Sequence, residues 1–192
     1  MIFATNNENK IKQIKKMAND IEIVGLKEFG INTEVEEDGK TFEENAIKKA
    51  VEINKLTHEE VLADDSGLSI DFFDGWPGVY SNRFIPNSTS YQRNEAILEK
   101  MKNVDDDLRG ASHVCVLAFC DKDGNVKTYR SDIRFKIAKV QKGDNLFGFD
   151  PIALLDNGKT LAELSDEEKI NINARGKAFE MFIKDYKAQY LK

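Results

Sequence analysis

The chain has 192 residues, a formal net charge of −6, 41% hydrophobic and 32% charged residues. That length buries a core without outside help. No apolar run approaches the roughly 20 residues of a membrane span, and the acidic balance argues against a broad nucleic-acid surface, so neither a membrane nor nucleic acid is an expected partner.

No repeat, low-complexity tract or Pro/Gly/Ser linker divides the chain, which reads as one domain over residues 1–192. It opens on a short apolar segment, Met1-Ile2-Phe3-Ala4, too brief for a secretory signal, and a cytoplasmic location is expected. Ile2, Phe3 and Ala4 read as a buried strand. The polar turn after it leads into a helix with Ile11, Ile14 and Met17 at helical spacing, capped by Asn6 or Asn7. A second helix starts at Thr41, which forms a capping-box pattern with Glu44, and turns Phe42, Ala46, Ala50 and Ile53 inward.

Val61-Leu62-Ala63 is a short apolar strand expected to stop at the turn Asp64-Asp65-Ser66-Gly67. Trp76-Pro77-Gly78 forms the next turn, followed by a helix over 91–101, a strand over 114–119 and a hairpin turn at Lys122-Asp123-Gly124-Asn125. Ile133, Phe135 and Ile137 alternate along a strand with one buried face. The last helix carries the stripe Phe179, Ile183, Tyr186 and Tyr190, with Asn173 placed to cap it. Interleaved helices and strands with a hairpin in the second half predict an α/β fold with a mixed sheet. Cys115 and Cys120, about 16 Å apart along an extended strand, cannot pair with each other. With His58 and His113 they show no zinc-ligand spacing.

Four constellations bear on chemistry. Thr5-Asn6-Asn7-Glu8-Asn9-Lys10 joins a buried strand to a helix N-terminus, where free N–H groups, hydroxyl, amides and a lysine suit phosphate, although an ordinary capped turn has the same composition. Glu36, Glu37, Asp64 and Asp65 form a carboxylate set able to seat magnesium beside a triphosphate, or else a solvated loop and a turn. Phe147-Gly148-Phe149-Asp150-Pro151 offers rings to stack a nucleobase, or a core plug. Lys169 and Arg175 stand near a helix N-terminus, where an arginine can donate to a purine edge, or else they are solvated charges on a C-terminal helix.

Taken in order, these pieces resemble the inosine triphosphate pyrophosphatase, or Ham1, family of non-standard purine nucleotide pyrophosphatases. The carriers are Thr5-Asn6-Asn7-Glu8-Asn9-Lys10, Glu37-Asp38-Gly39-Lys40-Thr41-Phe42-Glu43-Glu44-Asn45-Ala46, Ala63-Asp64-Asp65-Ser66-Gly67-Leu68, Pro77-Gly78-Val79-Tyr80-Ser81, Phe147-Gly148-Phe149-Asp150-Pro151 and Arg175-Gly176. The resemblance implies an elongated α/β fold with flanking helices and two lobes around a central cleft, a homodimer, and Mg2+-dependent cleavage of dITP, ITP or XTP to the monophosphate and pyrophosphate.

By the same resemblance Thr5, Asn6, Asn7, Glu8, Asn9, Lys10 and Lys49 bind phosphate. Glu37, with Glu36, Asp64 and Asp65, holds the metal, Asp65 accepts the proton of the attacking water, and Ser66 touches substrate. Phe147, Gly148, Phe149, Asp150, Lys169, Ala174 and Arg175 line the base pocket. The chain reads Asn173-Ala174-Arg175 where the family usually reads Ser-His-Arg, so an imidazole is missing on the base side. Leu146 and Asn6 replace frequent glycines. A related pyrophosphatase with another base preference, or a nucleotide-binding protein with little turnover, are the alternative readings.

Overall fold

A computed structural model describes residues 1–18, 21–144, 148–169 and 172–190. Its elements are β1 (Ile2–Phe3), α1 (Glu8–Met17), β2 (Val24–Gly25), α2 (Leu26–Phe29), α3 (Phe42–Thr57), β3 (Val61–Ile70), α4 (Ser90–Lys100), β4 (Gly110–Cys120), β5 (Val126–Ile137), β6 (Ala153–Leu154), α5 (Asp166–Lys169) and α6 (Ala174–Tyr190). The strands make one sheet in the order β2-β1-β3-β4-β5-β6. Strand β1 runs parallel to β2 and β3, whereas β5 and β6 are antiparallel, so the sheet is mixed, as expected.

Two compact units share the chain. The first holds Met1–Ser66, Cys115–Ser131 and Ala174–Lys192, and the second Gly67–Val114 and Asp132–Asn173. In the first unit the uninterrupted apolar runs Ile2-Phe3 and Val61-Leu62-Ala63 suit parallel strands covered on both faces. Helix α1 buries Ile14 beside Phe3 and Leu62, and Phe179 and Phe182 of α6 complete that core. Phe182 has no exposed surface and lies 5.3–5.7 Å, centroid to centroid, from the rings of Phe119, Tyr129, Phe179 and Tyr186. The side chain of Tyr190 lies outside the described residues.

The second unit has its own core, in which Leu68, Ile70, Ile97, Met101, Phe135, Ile137, Phe149 and Ile152 meet. Helix α4 enters it through a reciprocal capping box. Thr89 Oγ1 accepts from Gln92 N–H at 3.2 Å while Gln92 Oε1 accepts from Thr89 N–H at 2.9 Å. Ile133, Phe135 and Ile137 are all buried along β5, in keeping with their alternation.

Two local expectations change. Thr41 caps α3 by accepting from Glu44 N–H at 3.1 Å, but the Glu44 carboxylate reaches Lys40 N–H at 2.6 Å rather than closing the box on Thr41. Strand β3 also does not stop at Asp64: it continues through Asp64-Asp65-Ser66-Gly67 to Ile70. Turn-forming composition loses there because the carboxylate of Asp64 finds cationic partners inside the fold, which removes its cost of burial.

Cys115 and Cys120 are both free. Burial, with the nearby Asp64 charge, pushes the Cys115 thiol up to about 12, so it stays protonated and inert. Among the described residues no helix is long and apolar enough to cross a membrane.

Truncating the ring at the centre of the first core, Phe182→Ala, is expected to destabilise the protein by about 3–5 kcal/mol. A urea-unfolding midpoint equal to that of the parent protein would show that this ring is not central.

Candidate active site

The expected phosphate segment forms as a strand, a turn and a helix start. Asn7 is the cap, its Oδ1 accepting from Asn9 N–H at 3.0 Å and Lys10 N–H at 3.3 Å, and Thr5 Oγ1 accepts from Asn7 N–H at 3.2 Å. Glu8 and Asn9 are exposed in the first turn. Asn6 is half-buried, and its Oδ1 is enclosed without a hydrogen-bond partner among the described residues. Lys10, one turn into α1, turns back to Asp64, with Nζ at 3.0 and 2.9 Å from the two carboxylate oxygens.

Asp64 is the hub of this unit. Its side chain has no exposed surface, and Arg175 donates to it through Nε at 3.0 Å while reaching Gln13 at 2.7 Å and Ser66 Oγ at 3.1 Å. Lys49 Nζ donates to the Asp64 carbonyl at 2.6 Å and also to Glu37 Oε1. Burial by itself raises the Asp64 carboxyl, but the charges of Lys10, Arg175 and Lys49 outweigh it and hold that carboxyl well below the usual carboxylate range.

Its neighbour behaves in the opposite way. Asp65 is buried too, yet burial dominates there and raises its carboxyl above the ordinary value, with Glu37 adding to the rise and Lys49, Asn45 and Lys10 opposing it. Its Oδ1 accepts from Ser66 N–H at 2.9 Å and its Oδ2 from Asn45 Nδ2 at 2.9 Å. Adjacent strand residues point to opposite faces, and this pair has become one clamped anion and one carboxylate raised by burial.

The carboxylates expected to hold a metal differ in surroundings. Both oxygens of Asp64 face cations, Glu36 is exposed, Glu37 is paired with Lys49, and Glu37 is near enough to Asp65 to repel its charge. Among the described residues no three Asp, Glu, His or Cys side chains converge as a cage. Two hard carboxylates fit magnesium, which usually completes its shell with waters and substrate phosphates.

In the second unit Gly148 takes a positive φ of 57° and its carbonyl accepts from Asn94 Nδ2 at 3.1 Å. Asp150 pairs with Lys169 at 3.1 Å, both largely buried. Phe149 has its ring buried in the core, 6.3 Å from the His113 ring, which is the core-plug arrangement of the two the sequence leaves open. Phe147 lies outside the described residues, as does Leu146. Ala174 begins α6 and is buried. Arg175, expected to read the base, donates here to Asp64, Gln13 and Ser66.

The Ham1 family model matches residues 1–185. The chain belongs to the Ham1 family. This Ham1 chain is 41% identical to the dITP/XTP pyrophosphatase of Clostridium perfringens, with 93% of each chain covered. It is 39% identical to the enzyme of the same name from Bacillus subtilis, over 95% of this chain and 94% of that one. Its structure is similar to that of the Staphylococcus aureus Ham1 protein, with a TM-score of 0.90 and 35% identity over 98% of both chains.

Sequence reading passed over Asn45 and Gln13. Asn45 carried a visible signal, because an amide three residues after Phe42 and four before Lys49 places a polar group on the inner face of α3, where Ala46 and Ala50 are apolar.

Asp64→Asn is expected to cost about 3 kcal/mol or more, since it strands the buried charges of Lys10 and Arg175. Because the folded carboxyl titrates below the unfolded one, its contribution is complete above the unfolded value, about pH 4, and is lost as pH falls further. Denaturation midpoints for parent and variant should converge in acid. Equal stability at pH 7 would remove Asp64 from the hub.

Proposed function

We propose that this chain is a magnesium-dependent nucleoside-triphosphate pyrophosphatase, active as a homodimer, that hydrolyses dITP, ITP and XTP to the monophosphate and pyrophosphate. The observation that carries this reading is the consecutive pair Asp64 and Asp65 on one strand, the first gripped by Lys10 and Arg175, the second raised toward basicity. The names of the relatives supply the substrate class. A family match unbroken over residues 1–185 supports treating both units as one functional domain.

Asp65 accepts the proton as water attacks the α-phosphorus, a role suited to a carboxylate whose affinity for protons exceeds the ordinary value. Glu37 and Asp65 are the residues that would hold magnesium, which when bound offsets charge on the phosphates. Lys10 and Lys49, pre-oriented by Asp64 and Glu37, stabilise the pyrophosphate as it departs. Asp64 and Arg175 keep this constellation in place, and Ser66 Oγ, held by Arg175, lies beside it. Thr5, Asn6 and Asn7 face phosphate at the start of α1, while Gly148, Asp150 and Lys169 serve the base.

Asp65→Asn should lower turnover by about 10²-fold or more while nucleotide still binds, because an amide cannot take the proton. Pyrophosphate release from dITP and XTP, with and without EDTA, provides the assay. Near-normal turnover in the folded variant, orthophosphate as first product, or full activity in EDTA would each overturn a named part of this mechanism.

The base preference is expected to be broader than in relatives that carry histidine at the position of Ala174. A buried methyl supplies no polar contact there, and one such contact is worth roughly 1–3 kcal/mol of discrimination. Ala174→His should raise kcat/KM for ITP relative to ATP. A parent enzyme that is already sharply selective, with a ratio unmoved by the substitution, would show that other groups read the base.

A further inference from the structure

Asn45 has no exposed surface and sits one turn before Lys49 on the inner side of α3. Its short amide is used at both ends. Oδ1 accepts from Gly39 N–H at 2.8 Å, and Nδ2 donates to Asp65 Oδ2 at 2.9 Å. Gly39 closes the acidic loop Glu36-Glu37-Asp38, so one side chain ties the loop that carries Glu37 to the carboxylate of Asp65.

A second observation supports the link from the loop side. A Cβ on Gly39 would stand 2.6 Å from Asn45 Oδ1, 2.9 Å from Glu44 Cβ and 3.1 Å from the Asn45 backbone nitrogen. Only glycine lets the loop approach the helix this closely. On the far side, the bond from Ser66 N–H to Asp65 Oδ1 joins that from Asn45 to fix the carboxylate plane. No other short side chain does the same work: aspartate would set an acceptor against Asp65, and alanine would leave the Gly39 N–H unpaired.

Two carboxylates brought together repel each other, and in this fold that repulsion is met by Lys49 on Glu37 and by Asn45 on Asp65. We propose that Asn45 is a positioning residue which, through Gly39, holds Glu37 in register with Asp65 and so pre-forms a two-carboxylate seat for a divalent cation. The proposal rests on the reading of Glu37 and Asp65 as the cation's ligands. Its logic is that of an outer partner that orients ligands before the ion arrives.

The test uses Mn2+ as probe, titrated into the full chain without nucleotide and followed by the electron paramagnetic resonance of the free ion. The proteins are the parent, Asn45→Ala, Gly39→Ala, their double variant and Glu37→Gln. Gly39→Ala leaves Asn45 and Asp65 chemically intact, so it keeps the question open to an answer even if Asn45→Ala fails to fold. Each single variant is expected to weaken Mn2+ binding by about 10- to 100-fold. The double variant should be no weaker than Asn45→Ala alone, since that variant already lacks the bond to Gly39 which Gly39→Ala disturbs. Binding of ITP in EDTA by the Asn45 and Gly39 variants, which a general loss of structure would impair, should stay within about twofold.

Parent-like Mn2+ affinity in folded Gly39→Ala or Asn45→Ala overturns the proposal if Glu37→Gln has lost the ion. Additive losses in the double variant overturn the shared-bond argument. Undiminished binding by Glu37→Gln overturns the ligand reading on which the proposal rests, and a parent protein that takes up no Mn2+ shows that the seat is not pre-formed.

Discussion

The first unit depends on one buried carboxylate. Asp64 sits in the middle of a strand, where an unpaired anion would be intolerable, and it is accepted because Lys10 from α1 and Arg175 from α6 converge on it. Lys49 from α3 adds a bond to its carbonyl. Three helices far apart in sequence are thereby referred to one point of β3. Apolar packing brings those helices to the sheet, but it is non-directional. The ion pairs, by their geometry, specify where the cations lie.

That arrangement has a chemical consequence at the next residue. With Asp64 taking two of the local cations, Asp65 is left with partial compensation and a raised carboxyl, and Glu37 raises it further. A pair of identical side chains on one strand thus separates into a lowered and a raised carboxyl, because burial acts on both and the positive charge is shared unequally. Such division of two carboxylates by environment is how proton-transfer sites are built.

The second unit is organised by different means. In the second unit the left-handed turn at Gly148 is held by Asn94, whose amide also reaches Gln141 at 3.1 Å, and Phe149 anchors that turn in the core. Asp150 and Lys169 form a separate, largely buried ion pair. Buried amides add to the positioning in both units: Asn94 donates to the loop at Gly148, and Asn45 both accepts from Gly39 and donates to Asp65. Neither introduces a charge that must be balanced.

The amino-acid sequence by itself determined the class of fold, most of the helices and strands, and the family. Apolar periodicity, caps and turn residues act over a few neighbouring positions and can be read there: Asn7 capping α1, the stripe from Phe42 to Ile53, and the alternation of Ile133, Phe135 and Ile137 all form as read. Ordered motifs named the family for the same reason, since they are local strings. What only the tertiary structure decided is who compensates whom. Asp64-Asp65-Ser66-Gly67 has the composition of a turn, yet it continues a strand, because cations distant in sequence neutralise Asp64. Arg175 is held by an acid 111 positions away, Phe149 belongs to a core, and Asn45 joins two site segments that share no local pattern. Charge compensation and hydrogen-bond pairing depend on distance in space, which a chain acquires only when it folds.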